Sequence, residues 1–282
     1  MIKDLIYDVG MNNGDDTAYY LHRGYRVIAI EANPEVAEAA TKRFAAEVAA
    51  GRLTVLNIAI AEEPGEQPFW ICESQSEWSS FHREIASRDG SAHHQINVQC
   101  KTFASVLSEH GVPYFLKVDI EGNDALCLGG LDPADLPAYV SVEAVELDWL
   151  KKLHELGYGG FKCISQHNFL PIQLEGSAHQ RRYEMFLNLS RSDNPMIAAL
   201  RKIGGGRLIN RAVQFTRHER GWWFPWGASG TFAEKTRGRW QSYDELCETY
   251  LKYQSEAQQG GSSIFWHEAS YSFWADFHAR KE

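Results

Sequence analysis

Acidic residues and glycines near the start of the chain follow a pattern that suits a nucleoside ligand. Asp8 ends an apolar run and is followed by Gly10 and Gly14, which let the backbone turn tightly and approach a ligand closely. The helix predicted after Gly14 directs its free amide groups at this turn. Glu31 follows a second apolar run, Val27 to Ile30, and its carboxylate can accept two hydrogen bonds from a ribose diol. The pattern predicts a nucleoside site at the carboxyl ends of parallel strands.

The glycine spacing and the surrounding charge favour S-adenosylmethionine as this nucleoside. A dinucleotide-binding turn has the spacing G-x-G-x-x-G and leaves the helix start open to a pyrophosphate. Here the spacing is Gly10-x-x-x-Gly14, and Asp8, Asp15 and Asp16 would repel a pyrophosphate. The same carboxylates suit a cofactor that carries an ammonium and a sulfonium group. The alternative is a Rossmann-like turn of unknown ligand, because one glycine motif is weak evidence.

A later run of mostly apolar residues, 113–118, is followed by acidic residues and a glycine. These are Asp119, Glu121 and Gly122. With this segment, residues 3 to 165 resemble the FkbM family of S-adenosylmethionine-dependent O-methyltransferases. The matching motifs are Asp8-Val9-Gly10-x-Asn12-x-Gly14-Asp15-x-Thr17, Ile30-Glu31-Ala32-Asn33-Pro34, Asn57-x-Ala59, Ser79-Ser80 and Lys117-Val118-Asp119-Ile120-Glu121-Gly122. Met11 departs from the family pattern, in which a small residue is commoner at that position.

The resemblance implies a set of cofactor-binding residues in the first turn, after the second strand and in later loops. These residues are Asp8, Gly10, Asn12, Asn13, Gly14, Thr17, Glu31, Ala32, Asn33, Ala59, Ser80 and Asp119. We expect Glu31 to bind the ribose hydroxyls. Asp119 is expected either to hold the cofactor's ammonium group or to take part in catalysis.

Methyl transfer from a sulfonium needs an acceptor placed in line and a base that removes its proton. The candidate bases are Asp119, Glu121, His167, His267, Asp276 and His278. Glu121 is preferred over Asp119 because it follows the strand tip and in an extended chain would project to the same side. His278, oriented by Asp276, is the next candidate.

A hard divalent cation is an alternative use of the same side chains. Asp119 and Glu121, together with His167 or Asp276, could hold such an ion through oxygen atoms. Carboxylates also gather at strand tips in enzymes without a metal, and the chain has no metal-binding spacing motif. The sequence therefore favours a metal-free site with S-adenosylmethionine as its cofactor.

Composition narrows the remaining function classes. The 282-residue chain has a net charge of −9 and a pI near 5.7, which argues against a nucleic-acid partner. No apolar stretch is long enough to span a bilayer and no signal-peptide pattern precedes the first strand, so a cytoplasmic protein is expected. The five cysteines form no close pair and indicate thiols in a reducing compartment. The oligomeric state stays open.

Alternating strands and helices predict a class I methyltransferase fold, an α/β Rossmann-like, doubly wound and mostly parallel sheet. The predicted strands are residues 4–9, 26–31, 53–60, 68–72, 95–100, 114–119, 139–144, 160–165 and 272–278. The predicted helices are residues 15–23, 34–50, 101–110, 147–156 and 242–254. A polar loop near the cofactor is predicted over residues 73–94.

The regular alternation stops after residue 165 and resumes near the C-terminus. We therefore predict a cofactor-binding domain formed by residues 1–165 and 268–282, with residues 166–267 inserted before the last strand. A loop region of this length is usually a lid or a binding element, so it is expected to form the acceptor side. Most members of its aromatic group are expected to form a small core, with one or two lining the pocket. This group is Trp222, Trp223, Phe224, Trp226 and Trp240.

The predicted reaction is methyl transfer from S-adenosylmethionine to a hydroxyl of a small natural product or carbohydrate. This acceptor class is what the family resemblance implies. N-methylation of a small molecule is an alternative, but the Asn/Asp-Pro-Pro-aromatic pattern common in such enzymes is replaced by Asp119-Ile120-Glu121-Gly122. A nucleoside-binding scaffold without catalysis is the other alternative.

Overall fold

A computed structural model of the chain describes residues 1–174, 178–259 and 274–282. The chain forms two compact units, Met1–Gly159 with His278–Glu282, and Gly160–Phe277. The division into a cofactor domain and an acceptor-side insertion at residues 165 and 268 concerns function and stays a prediction.

The first unit alternates strands with helices, in agreement with the sequence pattern. Its strands are β1 (Ile2–Val9), β2 (Arg26–Ile30), β3 (Leu53–Leu56), β4 (Ala59–Ile60), β5 (Gly65–Cys72), β6 (His93–Lys101), β7 (Pro113–Val118) and β8 (Tyr139–Glu143). Its helices are α1 (Asp15–His22), α2 (Pro34–Arg43), α3 (Ala45–Ala49), α4 (Arg83–Ala86), α5 (Phe103–His110), α6 (Asp124–Gly129) and α7 (Leu147–Glu155). Helix α6 is absent from the sequence prediction.

Five parallel strands of this unit pair in the order β3-β2-β1-β7-β8. The last five residues of β1 are all buried, as expected for a strand covered on both faces of a parallel sheet. The winding direction reverses between β1 and β7, which opens a crevice at the carboxyl ends of these strands. The sheet confirms the predicted doubly wound fold and places the predicted site at its switch point.

A smaller sheet of β4, β6 and β5 borders the crevice residues. Strands β5 and β6 are antiparallel, and their apolar residues form a core with Ala59, against which Ala32 and Phe81 pack. Ser80 is held to this sheet because it exchanges backbone hydrogen bonds of 2.8 and 2.9 Å with Trp70. The predicted polar loop between β5 and β6 is therefore anchored, and it includes short helical turns.

Phe44 breaks the helix predicted over residues 34–50. Its φ of −108° and ψ of 29° end α2, and α3 begins at the next residue. The Phe44 ring occupies the space beside Gly14, where an added Cβ would lie only 2.6 Å from its Cε2 atom. Packing against the turn after β1 therefore overrides the helical propensity of this segment.

Asn57 interrupts the strand predicted over residues 53–60. Its Nδ2 atom donates hydrogen bonds of 2.9 and 3.1 Å to the carbonyl oxygens of Glu31 and Ala32. These bonds separate β3 from β4 and fix the chain that follows β2. Both interruptions lie beside the predicted cofactor residues.

The second unit holds more helices than the sequence pattern indicates. Its elements are β9 (Gly160–Ser165), β10 (Pro171–Ile172), α8 (Ala178–Arg191), α9 (Pro195–Leu200), α10 (Gly206–Val213), β11 (His218–Glu219), β12 (Trp222–Trp223) and α11 (Tyr243–Gln259). The last strand, β13 (Ala275–Arg280), continues into the first unit. Helices α8 to α10 are missing from the prediction, which treats the glycines at 204–206 as breaks. Within the described ranges, no helix is long and apolar enough to cross a membrane.

The aromatic group of the second unit does not form the expected core. Only Phe224 is buried, whereas Trp223 and Trp226 are exposed and the other two are half-buried. The Trp226 ring lies 6.0 Å from the His167 ring and 5.7 Å from that of Trp274. These side chains form an aromatic cluster in which Trp226 is exposed, and the guanidinium of the buried Arg217 lies 5.0 Å from the Trp226 ring centre.

Candidate active site

The turn after β1 requires glycine at its first position. Gly10 has a φ of 81°, and a Cβ there would lie 1.8 Å from the Asp119 carbonyl oxygen. The amides of Gly10 and Met11 both donate to the Ile30 carbonyl at 3.0 Å, and the Asp119 amide donates to Val9 at 3.0 Å. The ends of β1, β2 and β7 are therefore joined through their backbones.

Glu31 follows β2 and is held by the backbone on both of its carboxylate oxygens. Its Oε2 atom accepts a 3.0 Å bond from the Asn12 amide, and its Oε1 atom accepts a 2.8 Å bond from the Asn33 amide. Each oxygen keeps a lone pair, so the carboxylate can still accept two hydroxyl groups. Burial raises the pKa of Glu31 to about 7, against the effect of these two amides.

The neighbours of Glu31 adopt the conformations that this arrangement needs. Asn12 has a φ of 46°, a left-handed conformation that Asn tolerates better than most residues, and its Oδ1 accepts a 2.7 Å bond from Ser76. Asn33 caps α2, because its Oδ1 accepts a 3.0 Å bond from the Glu35 amide. Glu31 is thus fixed before any ligand binds.

Several predicted cofactor residues lie behind the crevice surface. Asp8 and Thr17 are completely buried, and the Thr17 hydroxyl donates a 2.6 Å bond to Asp8 Oδ2. This bond ties α1 to the end of β1, while Gly14, with a φ of 81°, precedes the first residue of α1. Asn13 is exposed, and its Oδ1 accepts a 2.9 Å bond from the Asp15 amide. Asp8 and Thr17 are placed to shape the turn.

Lys117 is a residue of this site to which the sequence analysis assigns no role. Its buried Nζ atom lies 3.3 Å from Asp119 Oδ2, 3.5 Å from Asp8 Oδ1 and 3.7 Å from Asp16 Oδ2. It also lies 3.4 Å from the Gly10 carbonyl oxygen. One lysine thus stands among three carboxylates below the turn. A charged residue inside an otherwise apolar central strand was the sequence signal for it.

Lys117 makes the charge around the turn different from the one that the sequence predicts. From the sequence, the acidic residues around the turn are expected to attract a cationic cofactor. The structure directs two of them, Asp8 and Asp16, at a buried ammonium group of the protein itself. Burial still raises the pKa of Asp8, while the charge of Lys117 opposes this rise. Asp119 is the member of this group whose side chain is substantially exposed, at 44%.

A second set of carboxyl groups lies beyond the end of β7. Glu121 Oε2 forms a 3.0 Å ion pair with Arg88 Nη1. Burial, followed by the charge of Asp119, raises the pKa of Glu121 to about 7, and Arg88 opposes this rise. Burial and the charges of Asp119, Glu121 and Asp124 raise the pKa of Glu143 to about 8. Glu121 therefore exchanges its proton near neutral pH.

The sequence predicts that Glu121 and Asp119 project to the same side of an extended chain, and this prediction is wrong. Strand β7 ends at Val118, and Glu121 sits in a turn with a φ of 48°. The turn is held by Ser80, whose hydroxyl donates a 2.7 Å bond to the Glu121 carbonyl oxygen. The charge of Asp119 still contributes to the raised pKa of Glu121.

The other predicted residues are distributed between the two units. His278 is buried in β13, and Asp276 in the same strand accepts a 2.7 Å bond from Gln166 Nε2. Ala59 is buried in the core of the small sheet. His267 lies outside the described residues. Over those residues, no group of three or more His, Cys, Asp or Glu side chains has a geometry that could hold a metal ion.

The family model described as the methyltransferase FkbM domain matches residues 8–158. This match covers more than half of the chain and includes the turn after β1, Glu31, Lys117 and the turn after β7. The chain belongs to the FkbM methyltransferase family. It is a methyltransferase, and S-adenosylmethionine is the methyl donor that the sequence predicts for it.

Solved structures with a loose similarity to this FkbM methyltransferase include other methyltransferases. A precorrin-6y C5,15-methyltransferase from Geobacter metallireducens is 15% identical, with a TM-score of 0.33 over 63% of this chain and 73% of the other. A methyltransferase from Thiobacillus denitrificans, in complex with S-adenosyl-L-homocysteine, is 10% identical, with a TM-score of 0.34 over 99% and 86% of the two chains. No curated protein sequence matches the chain.

The residues of the crevice fit this cofactor. Glu31 keeps an acceptor position on each carboxylate oxygen, as its predicted role toward the ribose hydroxyls requires, and Gly10 has the positive φ of a turn that a ligand can approach closely. The Asp119 carboxylate is exposed, and its binding of the cofactor's ammonium group stays a prediction. The Lys117 ammonium group fixes the Asp119 carboxylate relative to the buried carboxylates of Asp8 and Asp16.

Replacing Glu31 with Ala should weaken the binding of S-adenosylmethionine tenfold or more. The reason is the loss of hydrogen bonds to a charged acceptor, each worth about 1.5–3 kcal/mol. Isothermal calorimetry on Glu31→Ala measures the effect, with the exposed Glu62→Ala as a matched control. Unchanged affinity in a folded Glu31→Ala protein would remove Glu31 from the site.

Proposed function

We propose that this FkbM methyltransferase methylates a hydroxyl group of a small natural product or carbohydrate, with Glu121 as the general base. The main support is the position of Glu121 beside the strand tips, in a turn fixed by Ser80. Its side chain is 16% exposed and its pKa is raised to about 7. A base is most effective when its pKa lies near the working pH, because it then accepts a proton readily and is still largely ionised.

The charge pattern suits the removal of a hydroxyl proton. Glu121 Oε2 is bound to Arg88 Nη1 at 3.0 Å, so the ion pair orients the carboxylate and leaves Oε1 to accept the proton. The cofactor supplies a methyl group that is already activated by its positive sulfur. The protein's share is to hold the donor through Glu31 and Asp119, to orient the acceptor oxygen and to accept its proton.

An assay with a panel of sugars and glycosylated natural products tests this proposal. Formation of S-adenosylhomocysteine is measured first, and the position of the new methyl group is then determined by nuclear magnetic resonance. Methyl transfer to oxygen is the expected result. A product methylated on nitrogen would favour the alternative reaction. Tight cofactor binding without turnover on any hydroxylated acceptor would favour a scaffold.

The pH dependence of kcat should follow the ionisation of Glu121. The base acts in its deprotonated form, so kcat should rise with pH through a value near 7 and level off above it. The measurement uses saturating S-adenosylmethionine, because the pKa of Glu31 is also raised to about 7 and would otherwise contribute through cofactor binding. A flat kcat profile from about pH 6 to pH 8 would exclude Glu121 as the base.

A further inference from the structure

Residues 181–211 carry a charge opposite to that of the whole chain. They contain seven Lys and Arg residues and two acidic residues, whereas the chain has a net charge of −9. This segment covers most of α8, all of α9 and most of α10. Lys202, Arg207 and Arg211 are exposed on it.

The same segment exposes large apolar side chains. Half of the exposed large hydrophobic residues in the described ranges lie between residues 185 and 208. These five are Met185, Met196, Leu200, Ile203 and Leu208. Met196 is 82% and Ile203 is 83% exposed, which is unusual for such side chains. Single exposed apolar residues are common on proteins, but such a concentration marks an interaction site.

Helix packing and hydrogen bonds connect the elements of this segment. Helix α8 packs against α10 and buries Leu187, so part of the apolar content of the segment does form a small core. The guanidinium of Arg201 donates to the carbonyl oxygens of Ser190 and Ser192, which connects the start of a π-helical turn, Arg201–Gly205, to the end of α8. Met196 and Leu200 are four residues apart on α9 and therefore lie on one face. Ile203 follows in the π-helical turn, where the backbone departs from helical geometry.

We propose that this surface, the α9–α10 surface of Met196, Leu200, Lys202, Ile203, Arg207, Leu208 and Arg211, docks on an anionic lipid membrane. Amphipathic helices that lie in a membrane interface combine apolar side chains with Lys and Arg on their polar face. The apolar side chains enter the boundary of the acyl chains, and the cations remain among the anionic headgroups.

Other partners fit this surface less well. In a symmetric contact between two copies of the chain, Lys202, Arg207 and Arg211 would approach like charges, which is unfavourable. A nucleic acid would pair with the cations through its phosphates but would leave Ile203 and Leu208 without a function. Anionic lipid satisfies both the charge and the apolar side chains. This docking is independent of the acceptor and of the proposed base.

Vesicle co-sedimentation of the full chain tests the charge component. The protein should bind phosphatidylcholine vesicles that contain phosphatidylserine and should bind pure phosphatidylcholine much more weakly. The triple variant Lys202→Ala, Arg207→Ala, Arg211→Ala should lose about two orders of magnitude in partitioning, about fivefold for each cation. Equal binding to both kinds of vesicle, or no binding to either, would overturn the proposal.

The double variant Ile203→Ser, Leu208→Ser tests the apolar component and should reduce partitioning tenfold or more. Its matched control is Leu251→Ser with Lys252→Ala on α11, where both side chains are exposed and outside the α9–α10 surface. This control should bind vesicles normally, and all variants should keep their circular dichroism and cofactor affinity. If Ile203→Ser, Leu208→Ser binds vesicles normally, the cations alone recognise phosphate and the membrane proposal is wrong.

Discussion

Replacing Glu121 with Gln should lower kcat at least tenfold, and up to the roughly 100- to 10,000-fold that a general base contributes. Glutamine keeps the size of the side chain but cannot accept the proton of an acceptor hydroxyl. The affinity for S-adenosylmethionine should change little, because Glu121 is not assigned to the cofactor. Stopped assays at saturating cofactor and acceptor measure kcat, and calorimetry measures the affinity.

Asp119→Asn is the matched variant, since it removes the carboxylate that directly follows β7. It should weaken cofactor binding, because Asp119 is assigned to the ammonium group. If Glu121→Gln retains full kcat on a known acceptor, the base lies elsewhere, and His278 is the next residue to replace. If both variants weaken only cofactor binding, the two carboxylates have the same role.

Replacing Lys117 with Met should destabilise the fold by about 3–5 kcal/mol, which is typical when one partner of a buried charged group is removed. The Nζ atom lies within 3.7 Å of Asp8, Asp16 and Asp119, so its loss leaves buried carboxylates without their cation. Urea denaturation of the wild type and of Lys117→Met gives the difference in the free energy of unfolding. Lys117→Arg keeps the positive charge and should lose less stability than Lys117→Met.

The defect of Lys117→Met should shrink as the pH falls. Burial already raises the pKa of Asp8 and Lys117 lowers it, so removing the lysine raises this pKa further. A carboxyl group whose pKa is higher in the folded than in the unfolded protein favours the folded state as it is protonated. Adding Asp8→Asn to Lys117→Met should also recover part of the lost stability. A defect below about 1 kcal/mol, insensitive to pH, would show that the carboxylates do not need this cation.

The sequence predicts the parts of this molecule that depend on local pattern. The apolar run of β1, the two glycines and the acidic residue after β2 identify the sheet, the turn and the cofactor, because each needs a particular residue type at a short spacing. The pattern does not predict, however, that the helix is interrupted at Phe44. Its conformation depends on the space beside Gly14, which belongs to another element.

The features that the sequence pattern does not predict depend on contacts between residues far apart in the sequence. The role of Lys117 needs Asp8 and Asp16, which reach it only through the pairing of β1 with β7. The turn at Glu121 needs Ser80 from the loop between β5 and β6. Helices α8 to α10 are missed for a different reason. Their exposed apolar residues, Met196 and Leu208 among them, blur the periodicity by which helices are recognised.

The central position of β7 has a consequence for the folding of the enzyme during its synthesis on the ribosome. Val9 of β1 lies opposite Val118 of β7, so the two neighbours are synthesised more than a hundred residues apart. Strands β1, β2 and β3 can pair early, but the cofactor turn lacks Lys117 and Asp119 until β7 has left the exit tunnel. Closing such a long loop is slow compared with local helix formation. The nascent chain must therefore keep one edge of β1 open during synthesis, and S-adenosylmethionine can stabilise the fold only after β7 has closed it.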